Sequence, residues 1–106
     1  MATLNITEYD EFETIGGQLT APKVPPLVEQ TQLTYTTSAA SAAMNKGTRL
    51  IEVTTGATVA HLAWGSAPTA TVNFARMAAN QTKFFIIKEG WATKGTLKLA
   101  AYDGSS

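Results

Sequence analysis

Three groups of residues carry side chains capable of chemistry. The first is His61, the one histidine of the chain. A nucleophilic triad needs a histidine held between a nucleophile and an orienting acid. His61 instead sits in the alternating run "TVAHLAWG", flanked by Ala60 and Leu62. It reads as a strand histidine hydrogen-bonded to a neighbour. The second group is acidic: Glu8, Asp10, Glu11 and Glu13. These lack the spacing and central glycine of a calcium-binding loop. One histidine and no cysteine leave nothing for a zinc site. Gly16-Gly17 has neither the dinucleotide-binding nor the phosphate-loop spacing. Glu52, Glu89 and Asp103, the carboxylates of residues 31–106, form no assignable pair for glycosidic chemistry. The third group is basic: Lys83, Lys88, Lys94 and Lys98, with Trp91 and Phe85 between them. That is a thin nucleic-acid surface. Lysines that keep strand edges soluble explain it better, and Lys83 and Lys88 bracket the apolar run "FFII" as gatekeepers do. The expectation is a protein without catalytic residues, cofactor, metal or nucleic-acid partner.

Composition points the same way. Threonine and alanine dominate, and only 15% of residues are charged. A surface so poor in charge suits a protein much of whose exterior is buried against others. The formal net charge is zero, but residues 1–30 carry −4 and residues 31–106 carry +4. An acidic segment and a basic body attract one another, within or between subunits. No apolar run is long enough to span a bilayer. The start, "MATLNITEYDEFE", lacks the basic and apolar regions of a signal peptide. The absence of cysteine fits a reducing compartment.

The elements that must position these residues are short. In "TLNIT", Leu4 and Ile6 alternate with Thr3, Asn5 and Thr7, as a strand requires. Pro22, Pro25 and Pro26 then forbid helix and favour extended chain. Residues 1–30 therefore read as an extended N-terminal arm with a strand near its start. Leu4, Ile6, Tyr9, Phe12, Ile15, Val24 and Leu27 make it too apolar for a free tail, so it is expected to dock on a partner. From residue 31 the chain reads as a sandwich domain, 31–106. "QLTYTT", "TRLIEV", "TVAHLAWG", "TKFFIIKEG" and "GTLKLAAYDG" are strand patterns, with a further strand over Thr71–Phe74. "SAASAAMNKG" reads as a small-residue loop, with a helical turn capped by Ser38 as the alternative. Turn signals recur every eight to twelve residues. The expected fold is all-β, a small antiparallel β-sandwich or jelly roll.

One stretch stands apart. In "NQTKFFIIKEGW", Phe84, Phe85, Ile86 and Ile87 follow one another, so both faces of a strand would be apolar. One face must belong to the core. The other is expected to be covered by an arm or a neighbouring subunit. Phe85, Ile87 and Trp91 are the expected subunit contacts, while Trp64, sharing a face with Leu62, is expected in the core.

The phrases "MATLNITEY", "APKVPPL", "TRLIEVTT", "AWGSAPTAT" and "RMAANQTKFFIIKEGW" together resemble small structural proteins of tailed bacteriophages. The resemblance is to head decoration or stabilisation proteins and covers most of the chain. It implies a β-sandwich with an N-terminal arm, placed on the outer capsid surface of the virion. It implies binding to the major capsid protein, as a trimer or dimer that bridges neighbouring capsomers, after assembly in the host cytoplasm. A tail, fibre-base or adaptor component, or a carbohydrate-binding adsorption module, are the alternative readings. Trp91 and Tyr102 would serve the last.

Overall fold

The computed structural model describes residues 2–16, 19–35, 37–71, 75–88 and 90–103. Among them the fold is all-β. The strands are β1 (Ala2–Tyr9), β2 (Phe12–Ile15), β3 (Leu19–Pro22), β4 (Val28–Glu29), β5 (Leu33–Tyr35) and β6 (Ala39–Ala40). They continue as β7 (Leu50–Thr55), β8 (Ala60–Gly65), β9 (Ala75–Met77), β10 (Thr82–Ile86) and β11 (Lys98–Tyr102). Residues 72–74, most of the strand expected over Thr71–Phe74, lie outside the described residues.

Two antiparallel sheets form the sandwich. The first runs β10-β7-β1, with β4 and β5 one after the other along the far edge of β1. The second runs β6-β11-β8-β9. Alternation explains which face is buried. Leu4 and Ile6 of β1, Ile51 and Val53 of β7, Leu62 of β8 and Leu99 and Ala101 of β11 all point between the sheets. Tyr35, Met44 and Met77 close the ends of this core. Among the described residues, no buried side-chain nitrogen or oxygen lacks a hydrogen-bond partner.

The N-terminal segment differs from the expected arm. β1 is an inner strand. It pairs with β7 from Leu4↔Thr55 to Tyr9↔Leu50, and on its other side with β5 and β4. Its register to these two shifts by one residue, from Thr7↔Glu29 to Leu4↔Leu33. Thr31 and Gln32 together span the place opposite Asn5, a β-bulge. Leu4 and Ile6 are core residues, not docking residues. The boundary expected at residue 30 therefore divides nothing, because the first strand completes the first sheet. Among the described residues, β2 and β3 form a separate two-stranded hairpin outside the two main sheets.

"SAASAAMNKG" forms neither helix nor free loop. Ser41 and Met44 donate backbone N–H groups to Leu99 and Leu97, each at 2.8 Å, so the segment continues the β6 pairing along β11. Small side chains allow this close approach. Ser38, the candidate cap, instead accepts from the Ala70 N–H at 2.8 Å.

Candidate docking surface

The strand that carries most of "FFII", β10, lies at the edge of the first sheet and, among the described residues, pairs with β7 alone. A buried threonine sets its start. Thr55 Oγ1 donates to the Ala78 carbonyl at 2.6 Å and accepts from the Gln81 N–H at 2.9 Å. Asn80 takes a left-handed conformation (φ 54°) in the same turn, which asparagine tolerates. The turn carries the chain from the second sheet to the first.

Register decides the faces of β10. Phe85 lies opposite Ile51 and Lys83 opposite Val53, both partners being inward residues of β7. Phe84 and Ile86 lie opposite Glu52 and Leu50, on the outer face. The expected contacts Phe85 and Ile87 are accordingly half-buried against the core. The Phe85 ring meets Trp64 edge-on, with 5.3 Å between centroids. The exposed pair is Phe84, 40% accessible, and Ile86, 59% accessible. Among the described residues these two side chains stay open to solvent, although Leu50 beside them on that face is fully buried; cover by the chain's own arm, one of the expected alternatives, does not reach them. Trp91 is exposed as expected, at 51%. It follows Gly90, whose φ of 85° lies in the left-handed region that favours glycine.

The open edge also has a main-chain pattern. Ile87 donates to the Arg49 carbonyl, and the Gln81 carbonyl accepts from Thr55. Alternation in an antiparallel ladder then turns the N–H and C=O groups of Thr82, Phe84 and Ile86 away from β7, toward the free edge, while the Lys88 carbonyl accepts from the Trp91 N–H. Beside this edge the sandwich mouth holds a cleft of about 250 Å³. Trp64, Phe85, Ile87, Trp91 and Leu97 line it, with Lys88 at the rim.

A second exposed apolar element is the turn between β3 and β4. Val24 is 77% accessible and Leu27 also faces solvent. The other expected docking residues divide. Tyr9 is buried, its hydroxyl donating to Glu52 Oε1 at 3.0 Å. Burial and the Glu52 carboxylate raise its pKa above the ordinary tyrosine value. Phe12 is half-buried with the Arg49 guanidinium 5.5 Å from its ring centroid. The side chain of Ile15 lies outside the described residues.

The residues first considered for chemistry disperse. Glu8 is buried at the inner end of β1, with its carboxylate fully engaged. Oε2 accepts from Gln30 Nε2 at 2.8 Å; Oε1 accepts from the Asn45 N–H at 2.7 Å and from Thr48 Oγ1. It ties three separate segments together, a role no local pattern signals. Asp10, Glu11 and Glu13 are exposed at the hairpin, where Glu13 meets Lys23 at 3.5 Å. His61 lies on the outer face of β8, opposite Tyr102, with 6.2 Å between ring centroids. No group of three or more His, Asp or Glu residues is placed to hold a metal among the described residues. Phe85, the aromatic grouped with the lysines, is half-buried against the core.

Comparison with protein-family models, curated proteins and solved structures finds no match to this chain.

Proposed function

We propose that this chain is a structural virion protein of a tailed bacteriophage. In this reading it is a decoration protein on the outer surface of the head, bridging subunits of the major capsid protein and stabilising the shell. The observation that carries the reading is the exposure of Val24, Leu27, Phe84, Ile86 and Trp91 on so small a domain. Each is large and apolar, and a chain with only 15% charged residues does little to screen them. The sequence resemblance supplies the partner. Covering the exposed part of one such side chain is worth about 1 kcal/mol. That is weak for one copy, but many copies on a symmetric lattice gain by avidity. Binding to the assembled shell and not to its dissociated subunits stabilises the shell by linkage.

The capsid contact is assigned to the β3–β4 turn, because Leu4, Ile6 and Tyr9 of the expected arm belong to the chain's own sheet. Purified protein added to mature heads that lack it should co-sediment with them and raise their disruption temperature. Val24→Asp with Leu27→Asp should abolish both effects while the protein stays folded. Undiminished binding by that variant would remove the assignment. The Trp64–Trp91 cleft favours one other reading, carbohydrate adsorption. A silent glycan array would eliminate it.

A further inference from the structure

We infer that the free edge of β10 takes up strand β2 of a second copy of this chain, so that the acidic hairpin of one molecule extends the first sheet of the next. The inference rests on the geometry of the isolated chain and does not depend on the decoration role.

Main-chain alternation is the first support. Lys23 donates to the Glu11 carbonyl at 3.0 Å, and the hairpin register runs on through Glu13↔Ala21. Glu11 and Glu13 therefore direct their backbone groups toward β3, while Phe12 and Thr14 present theirs outward. The opposite edge of the hairpin contains Pro22, which has no N–H to give. So β2 is the competent edge of the hairpin. It offers donors and acceptors at even-numbered residues, as β10 does.

Side chains supply the second support. In one antiparallel register Phe12 lies beside Phe84, which sets Thr14 against Thr82 and Glu13 opposite Lys83. In the next allowed register Phe12 lies beside Ile86, which sets Thr14 against Phe84 and Asp10 opposite Lys88. Each places apolar on apolar and a carboxylate on an ammonium, the cross-strand pairs that favour a sheet. Asp10, Glu13, Lys83 and Lys88 are all exposed in the single chain. Two β10 edges pairing with each other would instead double the lysines along a seam, since residues 80–88 contain no acid. The −4 and +4 halves of the sequence match this head-to-tail arrangement. Such a contact closes into a ring or continues as a filament, according to the rotation between copies. The strand itself supplies main-chain affinity, and the flanking charges supply register.

The test is sedimentation velocity on the full chain at low and high salt, with hydrogen exchange at matched concentrations. Wild type should associate with rising concentration and more weakly in high salt. The amides of Phe12, Thr14, Phe84 and Ile86 should gain protection on association. Lys83→Glu with Lys88→Glu should weaken association by about tenfold or more, and so should Asp10→Lys with Glu13→Lys. Mixing the two charge-reversed proteins should restore it. All substituted residues are exposed, so circular dichroism of each variant should match wild type. A wild type that stays monomeric at millimolar concentration would overturn the inference. So would hairpin reversal without effect, or a mixture that fails to recover.

Discussion

At the scale of single residues, Glu8 and Tyr35 are buried side chains whose polar atoms bond to residues distant in sequence. Glu8 accepts hydrogen bonds from Gln30, Asn45 and Thr48 inside the protein. Truncation would remove the acceptor of the Asn45 N–H and of Thr48 Oγ1, and would leave Gln30 Nε2 only its 3.4 Å contact to the Ala42 carbonyl. Glu8→Ala should therefore cost about 3 kcal/mol, measured by urea unfolding; a cost near zero would show that water replaces the carboxylate freely. Tyr35 donates to the Val59 carbonyl at 3.1 Å from within the core. Burial first, and Asp103 second, raise its pKa above the ordinary value of 10.0. The folded protein then holds the phenol proton more tightly than the unfolded chain. This contribution is fully present below about pH 10, where the unfolded tyrosine is still protonated, and is lost as pH rises through the folded value. Tyr35→Phe should be less stable than wild type at pH 8 by about 1 kcal/mol. That gap should narrow above pH 10 because the variant has no phenol to ionise. A gap constant through pH 11 would contradict the assignment.

At the scale of elements, the decisive features are the inner position of β1 and the facing of β10. Because β1 pairs with β7, β5 and β4, removing residues 1–30 should leave a chain without cooperative folding. Far-ultraviolet circular dichroism and amide proton dispersion would report this; a folded 31–106 fragment would show that the segment is the separable arm first expected. For β10, Phe85→Ala should cost about 2 kcal/mol by losing contact with the core and Trp64, whereas Phe84→Ala should change stability by less than about 0.5 kcal/mol. Equal costs would mean that the register is wrong. These two elements also mark the limit of what the sequence makes legible. Alternation identifies "TRLIEV", "TVAHLAWG" and "TLKLAAY" as strands, and the all-β class follows from their spacing. Alternation cannot face "FFII", because both of its faces are apolar. Its partner β7 begins with Leu50 and Ile51, both buried, so cross-strand matching does not settle the facing either. The register comes from the Thr55 turn, a contact between residues far apart in sequence. The prolines after residue 21 suggest an arm, but they describe only the hairpin and the turn after it. Which strands flank β1 depends on pairings with residues 28–35 and 50–55, and no local pattern encodes those. The two-residue strands β4 and β6 are too short to show any period.

At the scale of the whole molecule, the sandwich has two exposed apolar places among the described residues: the Val24–Leu27 turn and the β10 edge with Trp91. A hairpin rich in carboxylates stands off one end, and lysines border the open edge. In the proposed role the Val24–Leu27 turn would meet the capsid, and in the proposed assembly the β10 edge would meet a second copy. The proposed role is structural, so the number of copies per particle tests it more directly than any activity. Quantitative mass spectrometry of purified virions, normalised to the major capsid protein, should find copies on the order of hundreds, scaling with the capsomer lattice. A number matching a single vertex or one tail ring, or absence from the particle, would contradict capsid decoration.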